Sequence, residues 1–161
     1  MFVKFCGFTR ERDIEAAAEL GVSAVGFIFH PASKRCVTPE RAAVLGRLLD
    51  GSGIERVGVF VDAEADDIRR TTGIAGLDRL QVYSEKHRVE LRGFRKIICA
   101  RRIRNRDDLD ATDAPAGDEL LLLDAYSDDA FGGTGVAFNW EILAGFPHIG
   151  SLGDASRSYA V

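Results

Sequence analysis

Residues 57–83, VGVFVDAEADDIRRTTGIAGLDRLQVY, decide the fold because they place one helix-length segment between two short apolar runs. Residues 57–61 and 80–83 are apolar on both faces, which is typical of buried strands. Residues 65–72 lie between them and predict a helix, although two threonines weaken it. A strand, a helix and a second strand in this order are typical of a parallel sheet covered by helices.

The same unit recurs along the chain. The other predicted strands are 2–6, 24–29, 96–100 and 120–124, and the other predicted helices are 9–20, 39–49 and one that begins at 138. About six βα units result, and pattern alone leaves open a doubly wound sheet or a (β/α)₈ barrel. Both folds place their active sites at the carboxyl ends of the strands.

The ends of the predicted elements carry recognisable signals. Thr9 is the predicted N-cap of the first helix, and Gly21 is predicted to end it. Thr38 followed by Pro39 predicts the start of the second helix. The charged segment between the fourth and fifth strands lacks helical periodicity. Residues 107–119 are acidic and are predicted to be a solvated connection.

Composition limits the protein class. The chain has 161 residues, 46% of them hydrophobic, and a formal charge of −4, which fits one globular domain over residues 1–161. Three cysteines suit a reducing compartment, so we expect a cytoplasmic protein. The mild acidity gives no reason to expect a nucleic-acid partner. No apolar run approaches the roughly 18 residues of a membrane span, so no membrane partner is expected.

Two strand ends carry groups that can exchange protons. Cys6 ends the first strand, and Asp124 follows four leucines at the end of the sixth. A thiol and a carboxylate there can act as base and acid across a small substrate. The alternatives are a small buried hydrophobic residue for Cys6 and a turn-capping side chain for Asp124.

Three loop features are less specific. Arg35 could bind a carboxylate or be a solvated charge, and Gly132-Gly133-Thr134-Gly135 could face an anion or be a flexible lid. The arginines at 101, 102, 104 and 106 favour a solvated strand-end loop over a phosphate site. The histidines and cysteines show no metal-ligand spacing, so we expect no metal.

Several motifs occur in this chain in the order in which one enzyme family has them. The opening Val3-Lys4-Phe5-Cys6-Gly7-Phe8-Thr9 is similar to the family's Lys-Ile-Cys-Gly-Leu-Thr. The second strand with Ser33-Lys34-Arg35, the third strand, Leu122-Leu123-Asp124, the glycine loop and Phe138-Asn139-Trp140 follow in the family's order. Over about residues 2–143 the chain therefore resembles the phosphoribosylanthranilate isomerase family of (β/α)₈ TIM-barrel enzymes.

The resemblance implies a tryptophan-biosynthesis enzyme without a cofactor. The family converts N-(5′-phosphoribosyl)anthranilate into an aminoketose by an Amadori rearrangement. Asp124 would protonate the furanose oxygen as the ring opens to a Schiff base, and Cys6 would remove the C2 proton. Arg35 would hold the anthranilate carboxylate. The substrate-binding residues would further include Gln81, Gly132, Gly133 and Gly135.

The chain also departs from the family pattern. Gln81-Val82-Tyr83-Ser84 stands where the family has Gln-Leu-His-Gly, Cys99 replaces a lysine, and Asn139 replaces an aspartate. The resemblance ends after Leu143, so we expect a truncated or frameshifted chain whose last two βα units are largely missing. Open sheet edges would then favour a homo-oligomer.

Two other functions stay open at this point. The first is a degenerate, non-catalytic barrel paralogue that acts as a binding or assembly partner. The second is an isomerase for a different sugar phosphate, because a fold alone does not fix the chemistry.

Overall fold

The computed structural model describes residues 2–110, 115–126 and 140–143, and in them six strands alternate with five α-helices. The elements are β1 (Lys4–Cys6), α1 (Glu11–Glu19), β2 (Ala24–Ile28), α2 (Pro39–Arg47), β3 (Glu55–Phe60), α3 (Ala65–Ala75), β4 (Arg79–Val82), α4 (Glu85–Glu90), β5 (Lys96–Ile103), α5 (Arg106–Asp110), β6 (Leu120–Ala125) and a 3₁₀ helix (Trp140–Leu143). All six predicted strands are therefore confirmed, and their ends differ from the prediction by at most three residues.

The strands form one parallel sheet in the order β1-β2-β3-β4-β5-β6. Each strand pairs with the next one in the sequence, whereas the strand order of a doubly wound sheet reverses at a switch point. The sequential order excludes the doubly wound alternative and confirms the barrel-type fold. The extent of the single domain over residues 1–161 stays a prediction.

The two predicted helix starts had different outcomes. Thr38 caps α2 as predicted, because its Oγ1 accepts a hydrogen bond from the Arg41 amide at 3.1 Å. The prediction that Thr9 caps α1 was wrong, since Arg10 occupies the N-cap and its side chain accepts no capping hydrogen bond. The physical reason is Arg41, whose guanidinium binds both the Thr9 carbonyl and the Glu11 carboxylate. Gly21, with φ at +66°, follows α1 as predicted.

Two helices lie where none was predicted. The segment between β4 and β5 contains α4, whose buried side chains are His87 and Arg88. Burial of a charged residue hides the usual apolar periodicity of such a helix. Residues 107–119 are not wholly a solvated connection, because α5 buries Leu109 completely and Glu119 is only 8% exposed.

The last predicted helix is a short one. Residues 140–143 form a single turn of 3₁₀ helix, and the predicted start at 138 lies outside the described residues. In the described parts of the chain, no helix is both long enough and apolar enough to cross a membrane. The cytoplasmic location stays a prediction.

The sheet packs a different core on each face. One face meets the helices through side chains such as Phe27, Leu80 and Ile97. The opposite face carries a smaller apolar cluster centred on Ala24, Val57 and Ile98. Alternation along each strand sends successive side chains to opposite faces, so every second residue is available to the site.

An ion cluster closes this second face at the amino ends of the strands. Glu55 accepts hydrogen bonds from Arg79 at 2.7 Å and from Lys96 at 2.9 Å. Burial alone would raise the pKa of Glu55, but the hydrogen bonds from these two cations hold it below its usual value. The opposite end, at the carboxyl ends of the strands, is the one that barrels of this type use for catalysis.

Candidate active site

Cys6 is the last residue of β1, and its side chain lies directly against β2. A Cβ atom built on Gly26 would come within 2.6 Å of the Cys6 sulfur, so only glycine leaves room for the thiol in this position. The thiol is solvent-exposed and not part of the core. This placement excludes the alternative of a small buried hydrophobic residue.

Arg35 reaches the same strand end from the loop after β2. Its Nη1 donates a hydrogen bond to the Cys6 carbonyl oxygen at 2.9 Å. Its guanidinium lies over Gly7, where a Cβ would come within 2.6 Å of Nη1 and where φ is +89°. Ser33 supports the loop by accepting the Arg35 amide at 3.2 Å. The structure therefore brings Arg35 and Cys6 together.

Asp124 lies near the end of β6 and is hydrogen-bonded to the residue that follows β4. Its Oδ2 accepts the Tyr83 hydroxyl at 3.2 Å. Burial, followed by the negative charge of Asp124, raises the pKa of Tyr83 well above its ordinary value. A smaller effect on this pKa comes from Cys6, so Tyr83 lies within electrostatic range of both predicted proton-transfer groups.

Gln81 lies deeper in β4 and is 4% exposed. Its Oε1 accepts a hydrogen bond from Lys4 Nζ at 2.9 Å, and its Nε2 donates to the Tyr83 oxygen at 3.2 Å. These contacts do not test the predicted role of Gln81 in substrate binding. No role at the site was predicted for Lys4 or for Tyr83, although Tyr83 was expected at the end of its strand. The signal was their period-two spacing to Cys6 and Gln81 along the two strands.

The remaining predicted groups fall into two sets. Gly132, Gly133 and Gly135 lie outside the described residues. Arg101 and Arg102 belong to β5 and not to a solvated loop; Arg101 is paired with Glu85, and Arg102 lies over the ring of Tyr126. Within residues 2–110, 115–126 and 140–143, no three His, Cys, Asp or Glu side chains group as metal ligands would.

Two cavities differ in position and in character. A cavity of about 290 Å³ at the carboxyl ends of the strands is lined by Val61, Asp62, Tyr83, Ser84, Ala100, Arg101 and Arg102. A larger cavity of about 860 Å³ lies at the amino ends, where Glu55 and Lys96 line it together with neighbouring loops. Its position at the stability face of the fold, and the ion pair between those residues, argue against catalysis there.

The amino-acid sequence matches one family of known proteins. The family model described as N-(5′-phosphoribosyl)anthranilate (PRA) isomerase matches residues 3–151. The N-(5′-phosphoribosyl)anthranilate isomerase of Rubrobacter xylanophilus is 38% identical over 144 residues, which cover 87% of this chain and 69% of that protein. The enzyme of the same name from Pelobacter propionicus is 40% identical over 144 residues, covering 89% and 68%.

Solved structures agree with the sequence comparison. Phosphoribosyl anthranilate isomerase from Thermus thermophilus matches with a TM-score of 0.79 and 31% identity, over 93% of this chain and 73% of that one. A phosphoribosyl anthranilate isomerase in complex with reduced 1-(o-carboxyphenylamino)-1-deoxyribulose 5-phosphate matches with a TM-score of 0.72 and 28% identity, over 89% and 69%. This chain therefore belongs to the N-(5′-phosphoribosyl)anthranilate isomerase family.

Proposed function

We propose that this chain isomerises N-(5′-phosphoribosyl)anthranilate to 1-(2-carboxyphenylamino)-1-deoxyribulose 5-phosphate, with Asp124 as general acid and Cys6 as general base. Asp124 gives its proton to the furanose ring oxygen, the C1–O bond breaks, and the anthranilate nitrogen forms a Schiff base with C1. Cys6 then takes the proton from C2, which produces an enolamine. Tautomerisation of the enolamine gives the ketone, so the reaction needs no redox group.

The match of the family model over residues 3–151 is the observation that carries this proposal. The geometry supports the two roles, because β1 and β6 present an exposed thiol and a carboxylate at the same edge of the sheet. A general acid and a general base each contribute roughly 10²- to 10⁴-fold to a rate. The comparisons do not favour the alternative of a non-catalytic paralogue.

Arg35 is the proposed partner of the anthranilate carboxylate. Arginine presents parallel N–H groups that match the two oxygens of a carboxylate. One terminal nitrogen of Arg35 already holds the Cys6 carbonyl, which fixes the guanidinium beside the proposed base. An Arg35→Lys variant keeps the charge but loses the planar fork, so KM should rise more than kcat falls.

The other predicted contacts complete the proposal. We keep Gln81, Gly132, Gly133 and Gly135 as proposed substrate-binding residues. A homo-oligomer through the sheet edge at β1 is proposed as well, because Phe5 on this strand is 43% exposed. The solved structures that resemble this chain include mutually generated monomers of the dimeric phosphoribosylanthranilate isomerase from Thermotoga maritima. A particle size that does not change with concentration in light scattering would contradict self-association.

The test of the reaction is the loss of anthranilate fluorescence with freshly formed phosphoribosylanthranilate. We expect turnover by the unaltered chain, and a loss of at least about 10²-fold in Cys6→Ser and in Asp124→Asn. Circular dichroism and urea unfolding confirm that each variant is folded.

Matched controls separate these roles from general effects of the substitutions. Cys36→Ser removes an exposed loop thiol, and Asp66→Asn removes a carboxylate on α3 whose side chain is 96% exposed. Both controls should keep turnover close to that of the unaltered chain. Turnover in Cys6→Ser equal to that of Cys36→Ser would refute Cys6 as the base. Absence of turnover in the folded, unaltered chain would refute the proposed function.

A further inference from the structure

Three hydrogen bonds join β1, β4 and β6 across the face of the sheet that carries the site. Lys4 Nζ donates to Gln81 Oε1 at 2.9 Å. Gln81 Nε2 meets the Tyr83 oxygen at 3.2 Å, and the Tyr83 hydroxyl meets Asp124 Oδ2 at 3.2 Å. The series ends at the proposed general acid. We call these four residues the Lys4–Asp124 chain.

The direction of every bond in the Lys4–Asp124 chain is set from its first member. A lysine ammonium has three donors and no acceptor, so the Gln81 oxygen must face it. The Gln81 amide nitrogen then faces Tyr83 and can only donate. The Tyr83 oxygen accepts this hydrogen bond, and its own proton is left to point at Asp124. An amide flip of Gln81 would place its donors against the ammonium, which is unfavourable.

We infer that Tyr83 is a positioning residue that determines which oxygen of Asp124 carries the transferable proton. The hydroxyl of Tyr83 occupies Oδ2 as a donor, so Oδ2 is the acceptor oxygen of the carboxylic acid. The acidic proton is therefore on Oδ1, and the rotation of the carboxyl group is restricted. This inference rests on the proposed function, in which Asp124 protonates the ring oxygen of the substrate.

The protonation state of Tyr83 agrees with its role as a permanent donor. Burial and the neighbouring carboxylate raise the pKa of Tyr83, so its hydroxyl stays protonated throughout the neutral range. Gln81 is almost fully buried, and buried polar groups keep their hydrogen-bond partners because losing one is costly. The hydrogen bonds of the Lys4–Asp124 chain are therefore already in place before the substrate binds.

Two nearly isosteric substitutions test the inference through different atoms. Tyr83→Phe removes the hydroxyl that donates to Asp124. Gln81→Glu keeps the acceptor for Lys4 but replaces the amide donor with a second carboxylate oxygen, which attracts the Tyr83 proton away from Asp124. We expect each variant to lower kcat by about 10- to 10²-fold, because the acid is misplaced and not removed. KM should stay within about twofold in Tyr83→Phe, whereas Gln81 is itself a proposed substrate contact.

The double variant distinguishes positioning from packing. If both substitutions act through the same hydrogen bond to Asp124, Tyr83→Phe/Gln81→Glu should lose no more than about twofold beyond either single variant. If each substitution instead caused an independent packing defect, the kcat loss of the double variant would equal the product of the two single losses. Multiplicative losses in kcat, or losses that appear in KM alone, would overturn the inference. If one of the two single variants does not fold, the kcat of the other variant and the NMR titration described below still test the inference.

A titration by NMR tests the hydrogen bond without any turnover. Protein labelled with ¹³C at the aspartate carboxyl carbons gives a signal for Asp124, which Asp124→Asn identifies. Tyr83→Phe should move the midpoint of this signal to higher pH by about one unit, because the carboxylate loses a donor. An unmoved midpoint would overturn the inference even where turnover is present. A moved midpoint in a chain without turnover would support the hydrogen bond and refute the proposed function.

Discussion

Substitution of Gly26 by alanine should displace the proposed base. The new Cβ would lie 2.6 Å from the Cys6 sulfur and 3.2 Å from the Cys6 Cα. Since ordinary contacts between heavy atoms are about 3.5–4.0 Å, the sulfur must move by roughly 1 Å. A misplacement of this size can lower a rate by about 10²-fold. Forcing a methyl group into a filled space costs about 1–3 kcal/mol of folding free energy.

The assay measures both quantities in one preparation of Gly26→Ala. The fluorescence decay of phosphoribosylanthranilate gives kcat and KM, and urea unfolding gives the free energy of unfolding. We expect the loss in kcat to be the larger effect, with a modest rise in KM, because Arg35 keeps its hydrogen bond to the Cys6 carbonyl.

Gly73→Ala is the matched control, since Gly73 lies inside α3 and an added Cβ would have no atom within 4 Å apart from the backbone of its own helix and its chain neighbours. Alanine there should stabilise the protein by about 0.4–1 kcal/mol and leave turnover unchanged. The reasoning is refuted if Gly26→Ala retains the kcat of Gly73→Ala, because the close packing of Cys6 against β2 would then be irrelevant to turnover.

Three further outcomes follow from charge and burial. Glu119→Ala should lower the free energy of unfolding by about 3 kcal/mol in urea, because it removes a partner of the buried Arg88; a loss below about 1 kcal/mol would contradict this. The pKa of Glu55 lies below its usual 4.5 in the folded protein, so its contribution to stability is present at neutral pH and lost as pH falls below that value. Urea unfolding between pH 7 and pH 3 should therefore depend less on pH in Glu55→Gln, and an equal dependence would be the contrary result. Iodoacetamide should modify Cys6 in the native protein and spare Cys99, whose thiol pKa is raised by burial; mass spectrometry that finds Cys99 modified first would contradict this.

The strands could be predicted from sequence because each is a short apolar run bounded by glycine or polar residues. The turn chemistry at Thr38 was equally local, and the structure agrees. Thr9 was predicted wrongly because its environment is set by Arg41, which is 32 residues away. Helix-capping rules consider only the residues close to the helix start, so they cannot take account of a partner 32 residues away.

The unpredicted α4 shows the same limit for the core. Arg88 is 3% exposed and binds Glu119, which lies 31 residues further along the chain. In sequence, both residues look like solvated charges, and only their mutual contact makes burial of either one favourable. Apolar periodicity therefore could not reveal this helix.

The candidate site was partly predictable for a topological reason. Parallel strands end at one edge, so Cys6 and Asp124 had to lie at the same end of the sheet. The hydrogen bond between Tyr83, which directly follows β4, and Asp124 on β6 joins residues that are 41 apart, and β4 and β6 are not neighbours in the sheet. A spacing rule within one strand cannot predict the contact between Tyr83 and Asp124. Both residues lie on the face of the sheet that also carries Lys4 and Gln81.

The bond from Lys4 to Gln81 has a consequence for how the site is assembled. Neighbouring strands lie about 4.8 Å apart, so three intervals separate β1 from β4 by roughly 14 Å along a flat sheet. Their side chains meet at 2.9 Å only because the sheet bends into an arc. This bond closes a loop of 77 residues, and β2 and β3 lie between its two ends in the sheet. The orientation of Asp124 is therefore a property of the curvature of the sheet, and a substitution that flattens β2 or β3 would change the acid without touching it.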